Sequence, residues 1–130
     1  MRKILFFIVI AVSIQTYGQD AKRGEEIFKQ SCTACHSVTA KKESFHAGPA
    51  IQGVTKRPGR TDSWLMEWIS DPDSVLNKKD PIALQLLKEN NNVRMTNMLA
   101  VRFGGDKAKI KSAAQDIIAF LKSNDSKSGQ

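Results

Sequence analysis

The amino-acid sequence predicts an all-α protein with one domain. Apolar residues recur at the three- and four-residue spacing of a helix in several runs, and the strict polar–apolar alternation typical of strands is scarce. Aromatic residues, which strands favour, make up only 7% of the chain. A length of 130 residues suits one domain with one hydrophobic core.

The first 18 residues have the pattern of a secretory signal peptide. Arg2 and Lys3 form a charged start, and Ile4–Ile14 is an apolar run. A membrane-spanning helix needs about 20 apolar residues and this run is shorter, so we expect cleavage before Gln19 and no stable membrane anchor. The sequence therefore predicts an exported protein, located in the periplasm if the source is Gram-negative.

The mature chain is expected to be basic. Of the 20 lysines and arginines, two lie in the leader, which leaves 18 against 13 acidic residues and a net charge of +5. An exported protein rarely meets nucleic acid, so we expect a partner protein with an acidic docking surface, approached by electrostatic steering. A solvated basic surface without a specific partner is the alternative.

The first predicted helix covers residues 21–30. Asp20 precedes it in the N-cap position, and Ile27 and Phe28 supply its apolar face. Gly24 lies within this run although a glycine in a helix costs up to about 1 kcal/mol relative to alanine. We therefore expect another helix to cross the backbone closely at Gly24.

Cys32, Cys35 and His36 form the pattern C-x-x-C-H directly after this helix. The pattern is typical of covalent haem attachment, in which the two sulfurs become thioethers and the histidine binds the iron. A structural disulfide, half a zinc site and a thioredoxin-like thiol pair are the alternatives. A zinc site would need four ligands, and His46 is the only further histidine or cysteine. The sequence therefore predicts one haem c bound through Cys32 and Cys35.

A polar loop follows the motif, and Gly48-Pro49 closes it. Proline has no N–H, but its carbonyl can accept a hydrogen bond. A histidine that binds a metal needs an acceptor for its second ring nitrogen, which fixes the tautomer and the ring angle. Pro49 is our candidate for this partner of His36, and an ordinary turn proline is the alternative.

Two helices are predicted in the middle of the chain. The first carries Trp64 and Trp68 on an apolar face and ends at Asp71-Pro72. The second begins at Asp80-Pro81, with aspartate as the cap and proline in the first position, and Asn90-Asn91-Asn92 ends it.

Residues 93–105 are predicted as a loop that carries two methionines. The last helix begins after Asp106 and presents a long apolar face. The small and polar residues 124–130 predict a flexible C-terminal tail. We therefore place the folded domain at residues 19–123.

Together these features resemble a class I monohaem cytochrome c. The residues that carry the resemblance are Gly24 and Phe28, the motif Cys32–His36, Gly48-Pro49, Gly53-Val54, Arg57, the tryptophan helix and Phe120-Leu121. The resemblance implies helices wrapped around one covalently attached haem, with Gly24 and Phe28 against Phe120. It also implies that Pro49 supports His36, and it suggests Arg57 and Trp68 as residues beside the haem propionates.

The resemblance further implies a methionine on the other face of the iron. Met66 lies inside the tryptophan helix, where we expect ordinary packing, and His46 is expected to be a solvated loop residue on the proximal side. Val93-Arg94-Met95-Thr96 resembles the ligand loop of bacterial relatives. We therefore favour Met95 over Met98, whose apolar neighbours suit a core position.

Histidine–methionine ligation would leave the iron no open position for a substrate. We therefore expect a monomeric carrier of single electrons between redox proteins, and no enzyme activity. A five-coordinate haem protein that binds a small gas or peroxide, as a sensor or an enzyme, is the alternative. A thiol–disulfide oxidoreductase that uses Cys32 and Cys35 is a third possibility.

Overall fold

The computed structural model describes residues 20–41 and 46–128, and within these ranges every regular element is a helix. The elements are α1 (Ala21–Ser31), a 3₁₀ turn (Val54–Lys56), α2 (Asp62–Ser70), α3 (Pro72–Asn77), α4 (Pro81–Glu89), α5 (Met98–Phe103) and α6 (Lys107–Lys127). The all-α prediction is confirmed. The predicted leader, residues 1–18, lies outside the described residues.

The first and last helices cross at Gly24, as the sequence predicts. The carboxylate of Asp20 caps α1 by accepting hydrogen bonds from the backbone N–H groups of Lys22 and Arg23, at 3.0 Å each. A Cβ atom at position 24 would run into the backbone carbonyl of Asp116 in α6. Four residues further along α1, the ring of Phe28 contacts that of Phe120, with centroids 5.5 Å apart. The predicted contact of Phe28 with Phe120 is therefore present.

In the described part of the chain, most of the buried apolar side chains form two separate clusters. The larger one joins α1, α5 and α6 and consists of Ile27, Phe28, Leu99, Ile110, Ala113, Ala114, Ile117 and Leu121. The smaller one, Val75, Leu76 and Ala83 of α3 and α4, packs against Trp64, Trp68 and Leu87. Met66 packs against the larger cluster, which confirms its expected place in the core.

The sequence analysis missed helix α3. Asp71-Pro72 ends α2, as predicted, but Asp71 also caps α3 by accepting a hydrogen bond from the N–H of Ser74 at 3.0 Å. Pro72 occupies the first turn of the new helix. The same Asp-Pro pattern at Asp80-Pro81 correctly predicted α4, whose cap bonds the N–H of Ala83 at 2.9 Å.

Residues 93–105 are not a continuous loop. Helix α5 begins at Met98, because Asn97 caps it through a 3.0 Å hydrogen bond from the N–H of Ala100. It ends at Gly104, whose φ of 59° lies in the left-handed region. The predicted loop is therefore correct for residues 93–97 and 104–105, and it missed a helix that buries Leu99.

The prediction of a flexible tail from residue 124 is wrong as far as residue 127. Helix α6 continues to Lys127, and the side chain of Asn124 donates a 3.0 Å hydrogen bond to the carbonyl of Val38. Asp125 is only 2% exposed and binds the turn at residues 53–55. The polar composition was misleading because these polar side chains have hydrogen-bond partners in distant parts of the chain.

The crossing of α1 and α6 predicts a strong effect of Gly24→Ala. The added methyl group meets backbone rather than a movable side chain, so the two helices must separate and the larger cluster must open. We expect the free energy of unfolding to fall by about 3 kcal/mol, measured by guanidinium titration. Lys22→Ala, at an exposed position of the same helix, should change it by less than about 0.5 kcal/mol. Equal unfolding midpoints for the two variants would contradict the close crossing.

Candidate functional site

The C-x-x-C-H motif forms a helical turn at the end of α1. The N–H of Cys32 donates to the carbonyl of Phe28 at 2.8 Å, and the N–H groups of Cys35 and His36 donate to the carbonyl of Cys32 at 3.1 and 2.9 Å. The turn brings Cys32, Cys35 and His36 to the wall of one cavity. All three side chains therefore border the same space.

The imidazole of His36 has a defined orientation. Its Nδ1 lies 2.9 Å from the carbonyl oxygen of Pro49. Because a carbonyl can only accept a hydrogen bond, Nδ1 must carry the proton, and the Nε2 lone pair is the one that suits a metal. The hydrogen bond predicted between His36 and Pro49 is thus present in the structure.

Gly48 allows this hydrogen bond to form. Its N–H donates to the carbonyl of Cys35 at 2.8 Å, and two residues beyond Pro49 the N–H of Ile51 donates to the carbonyl of Ser37 at 2.9 Å. A Cβ atom at position 48 would run into the ring of His36 and the carbonyl of Cys35. The segment 48–51 therefore follows the motif in close backbone contact, with Pro49 at its centre.

The two thiols do not resemble a redox thiol pair. Burial, with a smaller effect from Cys35, raises the pKa of Cys32 to about 11, while Cys35 is exposed. A thiol that exchanges with disulfides requires a lowered pKa, because the thiolate is the reactive form. The geometry therefore gives no support to the thiol–disulfide oxidoreductase.

The cavity lies between the two apolar clusters and has a volume of about 270 Å³. Ile69 and Leu99 line it on the side of the larger cluster, and Leu76 and Leu87 line it on the side of the smaller one. Apolar walls with two thiols and one oriented imidazole at an edge fit a flat, apolar macrocycle that carries iron. The residues present are therefore those that covalently bound haem needs.

Met95 and Met98 both line this cavity. Met95 is half-buried in the extended segment before α5, whereas Met98 is 41% exposed, contrary to the expected core position. The segment around Met95 is held on both sides. Arg94 donates to the carboxylate of Asp73 at 2.8 Å, and the Asn97 amide donates to the carbonyl of Ser70 at 2.8 Å. The sequence analysis missed these two anchors, because both partners are distant in the chain.

His46 is a buried residue, not the solvated loop histidine that was expected. It is 9% exposed, and its Nε2 is hydrogen-bonded to the carbonyl of Thr33 at 3.1 Å. Thr33 lies between Cys32 and Cys35, so this hydrogen bond places the imidazole of His46 beside the motif turn. The loop residues that precede it, 42–45, lie outside the described residues.

Trp68 lines the cavity and stacks on Trp64, with ring centroids 5.4 Å apart. The indole N–H of Trp64 donates to Asp80 at 3.1 Å, a pairing that the sequence analysis missed. Arg57 is not among the described residues that line the cavity. Its guanidinium donates to the carbonyls of Ala50 and Gln52, at 3.2 and 3.0 Å, and so braces the segment after Pro49.

Comparison with known proteins agrees with this geometry. A family model described as cytochrome c matches residues 21–125. A cytochrome c2 of Blastochloris viridis is 27% identical over 94% of this chain and 93% of its own length. A cytochrome c of Guizotia abyssinica is 31% identical over 81% of this chain and 90% of its own. The solved structure of a cytochrome c from Rhodothermus marinus aligns with a TM-score of 0.63 and 28% identity, covering 82% of this chain and 78% of the other.

The close contact of Gly48 with the motif predicts that Gly48→Ala is destabilising. Either the ring of His36 turns away from Pro49 or the backbone of Cys35 shifts, and both lose hydrogen bonds. We expect the free energy of unfolding to fall by about 1–3 kcal/mol in guanidinium titrations. Ala47→Ser, at the exposed neighbouring position, is the control and should stay within about 0.5 kcal/mol. A Gly48→Ala protein as stable as this control would show that the ring has room to move.

Proposed function

The chain belongs to the cytochrome c family, and on that basis we propose that it is an exported carrier of single electrons whose haem iron is bound by His36 and Met95. Covalent haem c is the cofactor of the family, and Cys32 and Cys35 have the spacing for its attachment. One observation carries the proposal: the oriented imidazole of His36 and two methionines line the same apolar cavity.

When bound, haem supplies a one-electron couple between ferrous and ferric iron. Cys32 and Cys35 would hold it through thioether bonds at the edge of the cavity. The carbonyl of Pro49 accepts a hydrogen bond from Nδ1–H of His36. This hydrogen bond makes Nε2 a more basic ligand and prevents rotation of the ring. The apolar side chains of the two clusters exclude water from the site, so its charge change occurs in a medium of low dielectric constant.

The proposal of Met95 as the sixth ligand is supported by its anchors. Asn97 ties the segment 93–97 to the end of α2, and Arg94 adds a surface ion pair with Asp73 of α3, so Met95 lies between two contacts of its segment with the helices. Met98 instead begins α5 and is more exposed. A fixed ligand lowers the reorganisation that accompanies each change of iron charge, which favours electron transfer.

We also propose that Trp68 donates its indole N–H to a haem propionate. Of the two stacked tryptophans it is the one that lines the cavity, and the indole of Trp64 already donates to Asp80. Arg57 would not contact a propionate. It would support the site indirectly, through its hydrogen bonds to the carbonyls of Ala50 and Gln52 in the segment after Pro49.

Export and docking form the second part of the proposal. The leader sequence, residues 1–18, supports export. Within residues 20–41 and 46–128, no helix combines the length and apolar character needed to cross a bilayer. Redox proteins are the partners of the family in general. We propose that this chain, as a monomer, meets partners with acidic docking surfaces, because its mature charge is +5.

Several of the lysines that could guide docking are already paired. Lys29 and Lys78 form ion pairs with Glu25 and Glu67, at 2.7 and 3.0 Å. Lys56 donates to the backbone carbonyl of Asp125 at 2.7 Å. Lys22, Lys41 and Lys79 are exposed and show no ion pair with the described residues, so they are the better candidates for long-range attraction.

The ligand assignment predicts different spectra for two methionine variants. Ferric wild-type protein should show the sulfur-to-iron charge-transfer band of a methionine ligand. Met95→Ala should abolish the band, because the ligand is lost, whereas Met98→Ala, the matched control three residues away, should keep it. A band that survives Met95→Ala and disappears in Met98→Ala would assign the ligand to Met98.

The charge of the chain predicts a salt-dependent reaction with an acidic redox partner. The second-order rate of electron transfer should fall as salt rises from about 0.01 to 0.15 M, since the screening length falls from about 30 to 8 Å. Stopped-flow measurements with a neutral small-molecule reductant provide the control and should show no such fall. A partner reaction that is equally insensitive to salt would mean that docking is apolar.

A further inference from the structure

The carboxylate of Asp125, near the end of α6, is buried without any role in the site described so far. It is 2% exposed and holds the turn at residues 53–55. Oδ1 accepts from the N–H of Gly53 at 2.6 Å, and Oδ2 accepts from the N–H and the hydroxyl of Thr55 at 2.9 and 2.7 Å. Hydrogen bonds from backbone N–H groups to a buried charge are about twice as strong as neutral ones, so this turn is firmly attached to α6.

Only three residues, 50–52, separate the attached turn from Pro49. In the chain between Pro49 and the turn, the carbonyls of Ala50 and Gln52 accept hydrogen bonds from the guanidinium of Arg57. These hydrogen bonds restrict the movement of residues 50–52. The glycine at the start of the turn, Gly53, has a φ of 74°, a left-handed conformation that glycine adopts without steric cost.

The segment 48–51, which contains Pro49, is attached to the haem motif. The N–H of Gly48 donates to Cys35, and the N–H of Ile51 donates to Ser37. Two hydrogen bonds to the motif therefore flank the Pro49 carbonyl, and the second of them, at Ile51, lies two residues before the turn that Asp125 holds. Movement of the turn at residues 53–55 would shift the Pro49 carbonyl, which accepts the hydrogen bond from Nδ1 of His36.

We propose that Asp125 is a positioning residue for His36: by fixing the turn at residues 53–55, it holds the Pro49 carbonyl against Nδ1 and thereby lowers the reduction potential of the iron. The inference rests on the proposed ligation of haem by His36. A strong hydrogen bond at Nδ1 makes the imidazole a more basic ligand, which stabilises ferric iron. Loss of Asp125 should weaken that bond and favour ferrous iron.

Asp116 offers a matched control on the same helix. It is also 2% exposed, and it accepts hydrogen bonds from the N–H of Asp20 and the guanidinium of Arg23. It thus attaches α6 to the start of α1, whereas Asp125 attaches the same helix to the turn at residues 53–55. If buried aspartates of α6 serve only stability, Asp125→Asn and Asp116→Asn should behave alike.

The experiment compares the reduction potential of the haem-loaded wild-type protein with that of Asp125→Asn and Asp116→Asn. In Asp125→Asn an amide NH₂ faces an N–H donor, so the turn loses at least one acceptor. We expect the ferrous-to-ferric ratio at a fixed applied potential to rise about threefold, or about 28 mV at 59 mV per tenfold change. Asp116→Asn should destabilise the protein in guanidinium without this shift.

Two further measurements separate positioning from simple loss of charge or of folding. Thr55→Val removes one hydrogen bond to Asp125 without changing charge, and it should raise the potential by a smaller amount in the same direction. The Nδ1 proton of His36, followed by NMR, should exchange faster with solvent in Asp125→Asn and in Thr55→Val, and not in Asp116→Asn. These readouts stay available in Thr55→Val if Asp125→Asn does not fold.

The proposal is overturned if Thr55→Val leaves both the potential and the His36 proton unchanged, or if Asp116→Asn shifts the potential as much as Asp125→Asn. Failure of the proposed function would look different. It would already appear in the wild-type protein, as the absence of a reversible one-electron couple or of a His36 proton shifted by the iron.

Discussion

The close crossing of α1 and α6 at Gly24 is the constraint on which the rest of this structure depends. Helix α1 ends in the motif that carries both cysteines and His36, and α6 fixes its direction by backbone contact at Asp116 and by the pair Phe28–Phe120. The same α6 reaches the turn after Pro49 through Asp125. One helix therefore positions both the histidine and the segment that supplies its hydrogen-bond acceptor, although the two lie on different parts of the chain.

The division of the apolar side chains into two clusters has a functional meaning. A single compact core of this size would leave no room for a cofactor, whereas here the gap between the clusters is lined by apolar side chains, with ligand-bearing groups at its edges. A haem in this gap would join the two clusters and complete a core that the protein's own side chains leave divided. The cofactor would then contribute to stability as well as to electron transfer.

Local patterns in the sequence predicted those parts of the fold that local chemistry determines. The caps at Asp20 and Asp80, the crossing at Gly24 and the His36–Pro49 hydrogen bond were all predictable, because each depends on residue type at a short spacing or on a family pattern. The tertiary hydrogen bonds of Asn124 and Asp125 and the anchors beside Met95 were not. They depend on partners 21 to 86 residues away, which no local pattern reveals. Helix α3 was missed for a different reason: the Asp-Pro pair that ends one helix and starts the next was interpreted only as an end.

If His36 and Met95 both bind the iron of a haem held in this cavity, as we propose, no position is left for a substrate and only electrons enter and leave the site. The most direct test is the visible spectrum of the ferrous wild-type protein at neutral pH before and after the addition of carbon monoxide. With His36 and Met95 both bound, no axial position is open to the gas, and the spectrum should stay unchanged. Rapid formation of a carbon monoxide complex would show an open position and would contradict the account, in favour of a haem protein that binds small molecules.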